Sequence, residues 1–181
     1  MSIIPINVYG DDILNKKTNK VDAVDDELIK NIKDMFDTMR YANGIGLASN
    51  QVGLDKSLFV IDLNGIEGYD NFNPVVMINP EILEESDEIV TMEEGCLSLP
   101  NLRADVDRPE SVKVKYLSPA EQEEVIEVDD FFARVILHEY DHLIGKMIPD
   151  RVDENLKRKL HKELKNISKR KVEIDYPITE L

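Results

Sequence analysis

A single cysteine, Cys96, leaves the chain without any internal disulfide to staple it. There is also no run approaching about 18 consecutive apolar residues, the length a membrane-spanning helix requires. Positive charge is scarce: 22 Lys and Arg stand against 37 Asp and Glu, a formal net charge of −15. Such a surface repels phosphate backbones and anionic lipid heads, which argues against DNA or a membrane as a partner. The excess of carboxylates is itself read as a solvated face. Residues Met1 to Gly10 show no basic leader, long apolar stretch or small-residue cleavage pattern, so nothing there directs export. Together with the unpaired cysteine, this predicts a reducing, cytoplasmic setting. No repeat, low-complexity tract or linker divides the 181 residues, of which 42% are hydrophobic, so one domain over 1–181 is expected.

What is present reads as alternating short elements. From about Asp25 to Tyr41, Leu28, Ile32, Met35, Phe36 and Met39 recur at three- and four-residue steps, the stripe of an amphipathic helix, and Asn43-Gly44-Ile45-Gly46 ends it. Ser57–Asp62 and Pro74–Asn79 are short β-branched or aromatic runs between turn residues and predict strands, as does Ile82–Thr91. Ser111–Leu117 alternates apolar with polar, and Ser118-Pro119-Ala120-Glu121 turns the chain toward Val125–Val128, a hairpin. Asp129 and Asp130 then read as a cap and first turn. Phe131, Val135, His138 and His142 share one face of the helix that follows, which runs to about Ile144 and is capped by Gly145. A charged helix spans about Glu154 to Asn166 with Leu156, Leu160 and Leu164 on one side, and Val172–Tyr176 alternates like a terminal strand. Without regular βαβ alternation the expected class is α+β: mixed or antiparallel strands around a central helix, with an N-terminal helix and a charged C-terminal one.

That central helix carries the chemistry. His138-Glu139-Tyr140-Asp141-His142 places two imidazoles one turn apart on one face, where both can reach a single cation, with Glu139 beside them. A carboxylate next to an activated water can take its proton and pass it to a leaving nitrogen. The same spacing also arises on ordinary helices, whose histidines are hydrogen-bonded in a core. A tetrahedral site needs a third ligand and an open position. A third histidine at position 148 is ruled out by Ile148, His161 lies among lysines, and Glu163 is a weak alternative. Cys96, in Glu94-Gly95-Cys96-Leu97-Ser98-Leu99-Pro100, is the better choice, because the flanking glycine and proline suggest a fixed, irregular backbone that presents a thiolate. A free cysteine is also commonly just an inert buried residue. A third segment, Gly44-Ile45-Gly46-Leu47-Ala48-Ser49-Asn50-Gln51, offers close backbone approach and a side-chain amide able to stabilise an oxyanion, although two glycines after a helix also serve as a simple turn.

Taken in order, these three segments resemble the peptide deformylase family, whose motifs read roughly Gly-x-Gly-Leu-Ala-Ala-x-Gln, Glu-Gly-Cys-Leu-Ser and Gln-His-Glu-x-Asp-His-Leu-x-Gly. The resemblance spans Gly44 to Gly145, and Arg103 falls where the family has a substrate-contacting arginine. It implies a metal-dependent amide hydrolase acting in protein biosynthesis, removing the formyl group of N-formylmethionine co-translationally and releasing formate. Cys96, His138 and His142 would bind one divalent ion, Fe²⁺ by family habit, with Zn²⁺, Ni²⁺ or Co²⁺ able to substitute. Gln51 and the Leu97 N–H would hold the developing oxyanion, and Glu139 would shuttle the proton. Ile45, Gly46 and Arg103 would hold the extended peptide, and Phe131 and Val135 would line the methionine pocket. At Arg134, where relatives are often apolar, either the stem lines that pocket or the pocket is narrower or more polar. Glu94 is expected to orient a ligand histidine, and Asp141 either pairs with Arg108 or is solvated. Two positions depart from the motifs: Ser49 replaces the second alanine, and Leu137 replaces the glutamine before His138. The implied partners are nascent formylated peptides, with the ribosome exit region nearby, and the implied state is a monomer.

Two other readings compete. A zinc endopeptidase using His138, His142 and a downstream glutamate would leave Cys96 and Gln51 idle. A catalytically silent binding protein on the same fold would bind peptide without releasing formate.

Overall fold

The computed structural model describes residues 2–181. Helix α1, Asp26–Tyr41, begins where the Asp25 carboxylate accepts the Leu28 N–H at 2.8 Å, a cap worth about 1 kcal/mol. Its buried face is the stripe Leu28, Ile32, Met35 and Met39. Two further helices follow late in the chain, α2 over Asp130–Leu143 and α3 over Glu154–Ser168. Between α1 and α2 lie seven strands: β1 Gly46–Ala48, β2 Leu58–Ile61, β3 Val75–Glu85, β4 Ile89–Cys96, β5 Leu99–Pro109, β6 Val112–Leu117 and β7 Glu123–Val128. They form a five-stranded antiparallel sheet ordered β1-β2-β3-β6-β7 and a separate β4-β5 hairpin. The class is α+β, as the mixed pattern implied.

Strand β2 shows how the layers meet. Successive residues point to opposite faces, so Phe59 and Ile61 join Ala133, Ile136 and Leu137 of α2, while Leu58 and Val60 join Met35 and Met39 of α1. Both faces are covered, which is why the run is apolar throughout. A third cluster packs Leu164 and Ile167 of α3 on Leu102, Ala104 and Val106 of β5. Helix α2 ends at Leu143 with Ile144 as its C-cap, and the following Gly145 adopts φ +73°. A β-carbon there would stand 2.8 Å from the Asn15 carbonyl carbon, so only glycine fits.

Three expectations require correction. Ile82–Thr91 is not one strand: β3 ends at Glu85, the chain turns through Ser86–Glu88, and β4 begins at Ile89. Strand β5 was not anticipated, because its inward positions include Arg108 and its outward ones Asp105 and Asp107, which obscures the apolar alternation. Val172–Tyr176 is not a strand. It alternates in exposure because one side rests on the protein, yet among the described residues the only ladder contact of this tail is a single bridge between Ile6 and Ile178.

Candidate metal centre and catalytic cleft

Two elements converge on one point. Strand β4 ends at Cys96, where the β4-β5 register shifts after Gly95, and α2 presents His138 and His142 one turn apart. The Cys96 Sγ lies 3.2 Å from His142 Nε2, the two imidazole centroids are 5.1 Å apart, and one ligand atom from each of the three residues lies within 4.8 Å of the others. His138 Nδ1 bonds Glu94 Oε2 at 2.9 Å, which leaves its Nε2 for the cluster. This is the arrangement by which a carboxylate fixes a ligating imidazole.

Glu94 is itself gripped. Arg108 approaches its two oxygens at 2.6 and 3.0 Å, and Arg134 Nη1 donates at 2.9 Å. Arg108 also donates to Asp141 at 2.7 Å, and Arg151 closes the far side of Asp141. Glu94, Arg108, Arg134 and Asp141 are all buried. Burial pushes the Glu94 carboxyl up, but the His138 and Arg108 bonds outweigh it and hold it well below the usual carboxylate range. Asp141 is therefore paired, not solvated, and the Arg134 stem borders the cleft while its guanidinium turns inward to Glu94, Val106 O and Val90 O.

Glu139 is 4% exposed; burial pushes its carboxyl up to about 7, and its Oε2 has no hydrogen-bond partner. Gly46 makes room for it. A β-carbon at position 46 would overlap Oε1 of Glu139 and stand 2.9 Å from its carboxyl carbon. Gln51, 1% exposed, sits in the 3-10 turn Ser49–Val52, its Oε1 fixed by the Ala48 N–H at 2.8 Å. The amide N–H₂ therefore faces Ser98 Oγ at 3.0 Å and Cys96 Sγ at 3.6 Å.

Gln51, Glu94, Cys96, Arg134, His138 and Glu139 open onto one cleft of about 820 Å³, and His142 lies buried beside Cys96. Ile45, Gly46, Leu97, Arg103, Phe131 and Val135 line the same cleft. Arg103 is at the mouth, 3.6 Å from Glu93 and largely exposed. Glu163, the weak alternative ligand, is on exposed α3 and does not reach it. Ser49 is buried and its hydroxyl donates to the Lys56 carbonyl, while Leu137 packs into the core beside Ile136. Sequence reasoning missed the Arg108 and Arg134 clamp on Glu94. The available signals were a charge at a core-facing position of β5 and an arginine four residues before His138 on its helix face.

The donors fit a divalent cation. A cysteine sulfur and two imidazoles converge on one point, with the unpartnered buried Glu139 carboxyl in the same cleft, a donor set suited to a borderline divalent ion. A Cys-His-His cluster with an adjacent buried carboxyl, seated in a cleft of an α+β fold, is of the kind found in metal-dependent hydrolases.

A family model described as polypeptide deformylase matches residues 3–158. The peptide deformylase of Prosthecochloris aestuarii is 41% identical over 179 residues, covering 99% of this chain and 96% of its own length. Peptide deformylase 1 of Clostridium acetobutylicum is 49% identical over 155 residues, covering 86% and 98%. The crystal structure of peptide deformylase from Thermotoga maritima superposes with a TM-score of 0.78 at 38% identity, covering 84% of this chain and 99% of that one. The chain belongs to the polypeptide deformylase family.

Proposed function

We propose that Cys96, His138 and His142 hold one ion, Fe²⁺ in the cell and replaceable by Zn²⁺, Ni²⁺ or Co²⁺, and that Glu139 is the general acid/base of the reaction. As a deformylase, the chain hydrolyses the formyl amide of N-terminal N-formylmethionine on newly made polypeptides and releases formate. The observation that carries the assignment is the unpartnered Glu139 carboxyl oxygen, buried next to three converging soft and borderline donors.

When bound, the ion supplies the Lewis acidity that polarises the formyl carbonyl and makes water acidic enough to attack at neutral pH. The protein does the rest. Glu139 takes a proton from the attacking water at its carboxylate and returns it to the departing amine nitrogen. Gln51, locked by Ala48, aims its amide N–H toward the centre, and with the Leu97 N–H it stabilises charge building on the formyl oxygen. Strand β1 is an edge of the sheet, paired among the described residues with β2, and although Asp62 N already takes the Ile45 carbonyl at 2.9 Å, the remaining backbone groups of Ile45 and Gly46 receive the peptide as an added strand. Phe131, Val135 and the Arg134 stem form an apolar recess for the methionine side chain, with Arg103 meeting the chain beyond it.

The reading includes a single catalytic domain over 1–181, acting as a cytoplasmic monomer on nascent chains near the ribosome exit. No helix among the described residues is long and apolar enough to cross a membrane. The test separates ligand from base. Cys96→Ala should emerge without bound ion, whereas Glu139→Ala should keep its ion and lose about 10²- to 10⁴-fold in turnover. A Cys96→Ala protein that retains full metal and activity would overturn the ligand assignment and favour the endopeptidase.

A further inference from the structure

We propose that Tyr176 is a positioning residue for deformylation, gripping the Leu97 carbonyl and thereby fixing the turn that carries Cys96. This rests on the site assignment above, and it reaches beyond the part of the chain that the family model matches, which ends at residue 158.

After α3 the chain doubles back as an extended strap. Lys171 N bonds Asn166 O at 2.9 Å, and Asn101 Nδ2 donates to Glu173 O at 2.9 Å. Further along, Ile6 N donates to Pro177 O at 2.9 Å and Thr179 N to Ile6 O at 3.0 Å. The Thr179 hydroxyl donates to Asp11 at 2.7 Å, and Arg170 donates to the Thr179 carbonyl at 3.0 Å. The strap is thus tied on both sides of Tyr176. Residues Glu173 to Tyr176 line the catalytic cleft.

At its centre the Tyr176 hydroxyl donates to Leu97 O at 2.8 Å. Leu97 and Ser98 are the two turn residues between the paired Cys96 and Leu99, so their carbonyls are not in the hairpin ladder. Each is secured from outside the hairpin: Leu97 O by Tyr176, and Ser98 O by Tyr9 N at 2.9 Å. The turn holds the proposed ligand on one side and, through Ser98 Oγ, the Gln51 amide on the other. Freeing the Leu97 carbonyl lets the Leu97–Ser98 peptide pivot about the Leu97 Cα, so the preceding Cys96–Leu97 peptide, which carries the Leu97 N–H beside Cys96, loses its anchor on that side. Burial, and then the nearby Cys96 charge, push the phenol up, so it remains a donor across the working pH range.

Tyr176→Phe removes only the hydroxyl. Its kcat and KM with formyl-Met-Ala-Ser are measured per bound metal, alongside the visible spectrum of the Co²⁺-substituted protein and its thermal midpoint. The expected result is a fall in kcat of about tenfold, KM within about twofold, and a changed thiolate-to-cobalt band. Wild-type kcat with an unchanged cobalt spectrum overturns the proposal. So does a loss of thermal stability with per-metal turnover and spectrum intact, because Tyr176 would then only anchor the tail. If the wild type itself released no formate, the deformylase reading would fail, and the cobalt spectrum would still decide whether Tyr176 sets the Cys96 turn.

Discussion

Gly46 and Glu139 share a space that admits no β-carbon: one placed on Gly46 would stand 2.9 Å from the Glu139 carboxyl carbon and 3.0 Å from its Cγ. Strand β1 is buried on both faces, Ala48 in the cluster with α2 and Leu47 in the cluster with α1, which brings its backbone close to α2. The glycine in the first motif is therefore required by contact with Glu139 of the third.

Gly46→Ala forces that carboxylate away from the cleft centre. A displacement of about 1 Å should lower kcat/KM by about 100-fold, with metal content unchanged. Steady-state kinetics on the metallated variant check this, and near wild-type kcat/KM would show that Glu139 does not need its observed position.

Burial pushes the Glu139 carboxyl up to about 7. A base must be ionised, so protonation removes activity, and a neighbouring cation favours the carboxylate and moves the transition downward. The pH profile of kcat/KM should accordingly fall on the acid side of a pKa at or below about 7, and Glu139→Gln should lose that limb along with most of its rate.

Arg108 bridges Glu94 and Asp141 while itself only 4% exposed. Arg108→Met strands two buried carboxylates and should cost about 3–5 kcal/mol of stability. Asp141 retains Arg151 and Glu94 retains Arg134, which places the loss toward the lower end of that range. Urea unfolding of both proteins at equal metal loading measures the difference; a change under about 1 kcal/mol would mean the other arginines suffice.

Much of this arrangement is legible without coordinates, for physical reasons. The stripe of α1 and the alternation of β6 persist because each buries one face, and the His138–His142 spacing is a property of any helix. The pairing of Cys96 with those histidines is not periodic information: Gly95 and Pro100 around it and the want of a third histidine at position 148 favour it, and the joined motifs strengthen it. Strand β5 was hidden because Arg108 occupies a core-facing position, at which a charge is tolerated only because Glu94 and Asp141 meet it there. The Val172–Tyr176 alternation reports burial on one side, which a strap produces as readily as a sheet. Its role at Leu97 depends on a contact across 79 residues that no local pattern encodes.

The most direct test of the central claim is formate release from formyl-Met-Ala-Ser by protein purified anaerobically and loaded with Fe²⁺ or Ni²⁺, compared with the same protein stripped by a chelator. The account predicts turnover that appears with the metal and disappears on stripping. A fully metallated protein that binds the peptide and releases no formate would contradict it.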